Sequence, residues 1–170
     1  MANKKIKKDP MVLVKKGITL AASVLVFIFM FLELLAIKSK GSLFGKDSDV
    51  STKGVKLSDL LFNEDFEIVR ENLTTTTTIL WVVFALVVLA VVVSALALFV
   101  RKKGSLMAKV GGALLVVAMV ALFVVNTDKA TFSVLGFASS ETWVSNITVL
   151  YFVSLALSVA GWVSAISLKK

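Results

Sequence analysis

The chain has 170 residues, 58% of them apolar, and a formal net charge of +8. Such a composition, with a strongly positive mean hydropathy, does not suit a water-soluble surface. Cys and His are both absent, which excludes disulfide frameworks, thiol redox couples, the usual Cys/His zinc sites, and haem held by His or Cys.

The basic excess is clustered. Six Lys against Asp9 lie in residues 1–16, then Arg101, Lys102, Lys103 and Lys109 follow the second apolar block, and Lys169 and Lys170 close the chain. The loops between are near neutral, so the pattern reads as membrane topology and not as a nucleic-acid footprint. Each cation near the surface adds about 1 kcal/mol of attraction to anionic head groups.

Residues 1–16 read as a cytoplasmic tail, with the chain's single proline, Pro10, breaking any helix that runs in from the N-terminus. Residues 17–37 form the first expected span. This run exceeds a signal-peptide core and lacks an A-x-A site, so it is expected to stay as an anchor. Glu33 is the one acidic residue inside any apolar run. Two readings are open for it: a carboxylate reaching into the outer head groups toward Lys38 or Lys40, or an intramembrane proton or cation site.

Residues 38–78 are the long outer loop. Its glycine-punctuated first part reads as irregular structure. An amphipathic helix is expected over about 58–71, with Ser58 as N-cap and Leu57, Leu60, Leu61 and Ile68 near the helical period. Phe62, Phe66 and Val69 widen that face, while Asp59, Glu64, Asp65, Glu67 and Glu71 occupy much of the rest. The helix is expected on the outer membrane surface or on the bundle, with Leu57, Leu60, Leu61, Phe62, Phe66 and Ile68 as interface candidates. Five Thr at 74–78 suggest an extended approach to the membrane.

Residues 79–100 hold 22 positions without a charge, about 33 Å as a helix against a hydrocarbon layer of about 30 Å. The basic turn at 101–105 gives that span its direction. Residues 106–126 form the third span, with Lys109 snorkelling to cytoplasmic head groups. Residues 127–146 form a shorter outer loop, residues 147–168 the fourth span, and 169–170 the cytoplasmic end. Asn72 and Asn146 begin N-x-T patterns on the outer side. Trp81, Trp143, Tyr151 and Trp162 fall broadly where interfacial belts lie.

Apolar burial does not drive helices together in lipid, so small residues mark where they meet. Ala90, Ser94 and Ala97 form one seam, Ala108, Gly111 or Gly112 and Ala118 a second, and Ser154, Ser158, Gly161 and Ala165 a third. Their period near 3.5 predicts left-handed antiparallel packing at about +20°. A second use for the Gly161–Ala165 pair is self-association or docking against another subunit.

The fold expected is an all-α integral membrane protein, a four-helix antiparallel bundle with cytoplasmic termini and a long first outer loop carrying a short amphipathic helix. This plan resembles small tetraspan proteins of the claudin and PMP22-like group. The paired cysteines and Trp-rich signature of claudins have no counterpart here, so no residue role is carried over.

The function expected is non-enzymatic: an accessory, assembly or adhesion subunit of the cell membrane, acting through its outer loops and helix seams. The alternative is a small oligomeric transporter or channel using Glu33. An enzyme would need an intramembrane Ser/Lys pair, Lys109 with Ser94 or Ser164. No catalytic residue, cofactor or metal is expected. Expected partners are the lipid bilayer, anionic head groups at the cytoplasmic lysines, and a protein partner or second copy, with no nucleic acid.

Overall fold

Pro10 opens the first helix, at a position where its missing N–H costs nothing and its fixed φ suits a helical turn. This helix, α1, spans Pro10–Phe29. The computed structural model describes residues 10–43, 46–100, 103–127, 130–134, 138–145 and 148–168. Most of the basic tail, Arg101, Lys102, Asn146, Lys169 and Lys170 lie outside the described residues.

The first span therefore differs from the expected 17–37: it starts seven residues earlier and ends eight earlier. Nothing local breaks the apolar run at Phe29, and the reason is tertiary. The chain tightens through Met30 N–H to Phe27 O (3.2 Å), Phe31 N–H to Ile28 O (3.0 Å) and Leu32 N–H to Phe29 O (3.1 Å). Met30 O then accepts from the Ser58 N–H at 3.1 Å, and Leu34 O from the Thr148 hydroxyl at 2.6 Å. Distant parts of the chain thus take up carbonyls that a longer helix would have used itself.

Beyond this turn the chain forms β1 (Leu35–Leu43), β2 (Lys46–Asp47) and β3 (Ser51–Val55). Further along come β4 (Ala130–Val134) and β5 (Ala138–Ser145). They make one antiparallel sheet in which β1 pairs with β5 on one side and with β2 and β3 on the other, and β4 pairs with β5. The all-α expectation and the irregular reading of the first loop are corrected here. Period-2 hydrophobicity is missing from β3, and among the strand residues whose burial is described the buried ones lie at the sheet's base: Leu35, Ala36, Val55, Val144 and Ser145. The register gathers these residues, with Leu35 opposite Val55 and Ala36 opposite Ser145. Further from the bundle, exposed polar residues dominate β3.

The expected helix at 58–71 is two short ones, α2 (Leu57–Phe62) and α3 (Glu67–Asn72), separated by a 3-10 turn at Glu64–Phe66. Asn63 divides them, its extended backbone ending α2 and its side-chain oxygen accepting the Asp65 N–H at 3.0 Å. Arg70 folds back to donate to the Asn63 carbonyl at 2.6 Å. Ser58 is not the N-cap; Lys56 holds that position without a side-chain cap bond, and Ser58 is buried.

The helix α4 (Thr74–Phe99) begins within the five-Thr run, which is helical and not an extended approach. Thr78 returns its hydroxyl to Thr74 O at 2.9 Å, and the Thr77 hydroxyl donates to Arg70 O at 3.2 Å. Such bonds satisfy hydroxyls within or beside the helix, and weak propensity gives way to packing. The last two long helices are α5 (Gly104–Phe123) and α6 (Val149–Ile166). All four long helices, α1, α4, α5 and α6, are long and apolar enough to cross a membrane.

The four long helices form a ring in which α4 lies between α1 and α5, and α6 lies between α5 and α1. One continuous core runs from Ala90 and Val87 through Met119 and Leu122 to Leu34, Leu35, Val144 and the buried leucines of α2. Neighbouring glycines seat α5 between its partners: Gly111 faces Ser94 of α4, and Gly112 faces Trp162 of α6.

A Cβ on Gly112 would stand 2.9 Å from the Trp162 Cα, whereas one on Gly17 would meet nothing within 4 Å. Opposite signs are therefore expected from the same substitution. Gly17→Ala should stabilise by about 0.5–1 kcal/mol, and Gly112→Ala should destabilise by about 1–3 kcal/mol. Unfolding in mild detergent, compared pairwise with the wild-type chain, checks both.

Candidate functional site

Two regions carry the polar chemistry: a seam inside the bundle and the head formed by the sheet with α2 and α3. The seam residues Ala90, Ser94, Ala97, Gly111, Gly112, Ser154, Ser158, Gly161 and Ala165 are all buried within one chain. The Gly161–Ala165 pair faces inward, with a Cβ on Gly161 meeting Ala22 of α1 at 2.9 Å. The position suits intramolecular packing and leaves that pair unavailable for a second copy.

Hydroxyls in this seam act in two ways. Ser154 and Ser158 donate to carbonyls one turn back in their own helix, both at 2.7 Å, and so present small, satisfied surfaces. Others join helices. Ser23 meets Ser94 at 3.3 Å, the Thr19 hydroxyl donates to Gly161 O at 3.1 Å, and the Tyr151 hydroxyl donates to Met119 O at 3.1 Å.

Lys16 is the charged group that sequence reasoning left in the tail. It is 8% exposed, and its Nζ donates to Ala97 O at 2.8 Å. That carbonyl is among the last of α4, where a cation also meets the negative end of the helix dipole. A side chain at Gly104 would collide with both groups, so the glycine makes room for the contact. Adjacent Lys15 donates to Ser167 O at 3.4 Å, just past the end of α6. Two consecutive lysines on α1 thus reach the ends of both its neighbours.

Lys109 is half-buried on α5. Ser94 lies against Ser23, and Ser164 donates to Lys15 O at 3.4 Å; neither contact involves Lys109.

At the opposite end, Glu33 lies beyond α1, exposed in the turn before β1. Glu33 does not stand inside a helix, for the same reason as the shorter span: α1 ends four residues before it. The Glu33 side chain lies over Gly54 of β3, in space that a Cβ there would claim. Together with Lys53, Lys56, Asp59, Asp65 and Phe66 it lines an open groove of about 490 Å3. Lys56 and Asp59 are 3.9 Å apart, both partly exposed. Such a pair contributes little to stability.

The outer-loop interface candidates separate. Leu57, Leu60 and Leu61 are buried in the core and not available to a partner. Phe66 is half-buried at the groove, and Phe62 and Ile68 are exposed at 56% and 64%. The Phe62 ring packs edge-on against Trp81 (5.2 Å between centroids) and Phe84 (5.5 Å) on α4. Phe84 in turn neighbours Phe27 of α1 at 6.3 Å, and Phe27 neighbours Phe31 at 5.3 Å. The other aromatic residues divide: Trp162 borders Gly112, Tyr151 is buried, and Trp143 belongs to β5 opposite Lys38. Asn72 is exposed at the end of α3, its side chain donating to Ile68 O at 2.7 Å.

No known family model matches this chain, and no curated protein or solved structure matches it either.

Replacing Lys16 by Met should destabilise the bundle by about 1–3 kcal/mol, because the buried Ala97 carbonyl loses its donor. For Ser23 and Ser94, a double-mutant cycle of Ala substitutions should give a coupling of about 0.6 kcal/mol. Unfolding of each variant in the same detergent measures both quantities.

Proposed function

We propose that this chain is a multi-pass cell-membrane protein that serves as a non-enzymatic accessory, assembly or adhesion subunit and presents its sheet-bearing head on the outer side. The observation that carries the reading is the head itself: two separate loops contribute strands to one sheet, in which Ser51, Thr52 and Lys53 of β3 are exposed. Building such a platform costs order in two loops, and its surface is where a partner protein or second copy would engage.

Orientation follows from charge. Lys15, Lys16 and Lys103 gather at the end opposite the sheet, and in the sequence the tail lysines, Arg101, Lys102, Lys169 and Lys170 adjoin the same helix ends. Cytoplasmic loops carry such an excess, and the same lysines attract anionic head groups of the inner leaflet. The transporter reading loses its support from position, since Glu33 stands outside the four helices. The absence of Cys and His in the sequence also favours a binding role over catalysis.

Mild extraction from native membrane should recover the chain in a defined stoichiometry with a partner protein or with itself. Crosslinks should run through exposed head positions such as Ile68 and Thr52. Consistent recovery of a lone monomer, or crosslinks confined to the helices, would overturn the proposal.

A further inference from the structure

We infer that the groove between β3 and α2 is a binding site for the head group of a zwitterionic phospholipid of the outer leaflet. The inference rests on the membrane orientation proposed above. It is carried by a juxtaposition of charge and aromatic surface. The groove's rim holds both signs, Lys53 and Lys56 beside Glu33, Asp59 and Asp65, which suits a ligand carrying a phosphate and an ammonium. Among the described residues the side chains of Glu33 and Lys53 have no ion-pair or hydrogen-bond partner, so their charges are available to a ligand.

The residues that line the groove adjoin, along the chain, those of an aromatic face. Glu33 stands two residues past Phe31, and Asn63, which also lines the groove, follows Phe62. Phe31, Phe62 and Trp81 are each at least 43% exposed, and Phe27 and Phe84 connect them between α1 and α4. A charged cleft above and a continuous apolar strip beneath match an amphiphile whose acyl chains run along the helices. Phe66 at the groove offers an aromatic face to the ammonium group. The volume of about 490 Å3 lies within the usual size of small-ligand clefts. An extended peptide added to the free edge of β3 is the competing occupant. It would use the backbone of β3 but gives the aromatic strip no part.

Native mass spectrometry of the full chain in mild detergent tests the site, with phosphatidylcholine and phosphatidylglycerol of identical chains as probes. One phosphatidylcholine should be retained about tenfold more tightly than phosphatidylglycerol. Glu33→Gln combined with Asp65→Asn should remove that preference, and Gly54→Leu, which fills the groove without changing charge, should abolish retention. Both variants are compared at wild-type melting temperature. Independently, a photoactivatable phosphatidylcholine should label the wild-type chain within residues 53–66. Equal retention of the two lipids, unchanged retention in both variants, or labelling elsewhere would overturn the inference, as would a peptide crosslinked at Lys53 in place of lipid. Flotation with liposomes separates the two levels: a chain that does not float removes the membrane reading, whereas one that floats without lipid preference removes only the site.

Discussion

The structure depends on how closely four apolar helices can approach. In a bilayer, the setting proposed above, valine and leucine on their outer faces would gain nothing from one another, and cohesion would fall to contacts that lipid cannot imitate. Backbones meeting over Gly112 and Gly161 are one such contact, and hydroxyls reaching across, as from Thr19 to Gly161 O, are another. Gly161 serves in both, receiving a hydrogen bond at its carbonyl and α1 at its Cα. Any added volume there would separate the helices and stretch the bond together.

The bundle's other requirement is at its ends, where the last carbonyls of each helix have no partner in the same helix. At the basic end Lys15 and Lys16 supply donors to the neighbours of α1. At the sheet end the donors come from α2 and from Thr148, and they reach carbonyls in the turn just past α1, those of Met30 and Leu34. These two bonds fix where α1 stops and therefore where β1 starts. The sheet is in this sense an extension of the helix ends, and its buried base belongs to the same core as the bundle.

That dependence explains what could be read from the sequence. Four long apolar runs announced the helices, because length and lack of charge are properties of a segment alone. The small-residue seams were legible for a related reason: a period near 3.5 places Ser94 and Ala97 on one face whatever surrounds them. The end of α1 was not legible, since the residues that stop it are Ser58 and Thr148. Nor was the sheet. Strands such as Ser51–Val55 bury a single residue and show no alternation, and what orders them is register against β1. The candidate groove was invisible for both reasons. Glu33 joins Lys53 and Asp65 only once the helix has ended early and the sheet has formed.

A sheet anchored at its base alone has a consequence for function. Its stability comes from ladder hydrogen bonds and from the buried residues next to the bundle, while Ser51, Thr52 and Lys53 further out on β3 are exposed. Substitutions there cost little in folding, as surface changes usually do. The bundle sets the opposite condition, because its seams accept almost no added volume. Recognition can therefore be retuned on the head without disturbing the helices that hold it, provided Leu35, Val55 and Val144 keep the base closed. The groove beside β3 lies on the boundary between these regimes. Its charged residues are free to change, but Phe66 in its lining packs against the core shared with the helices.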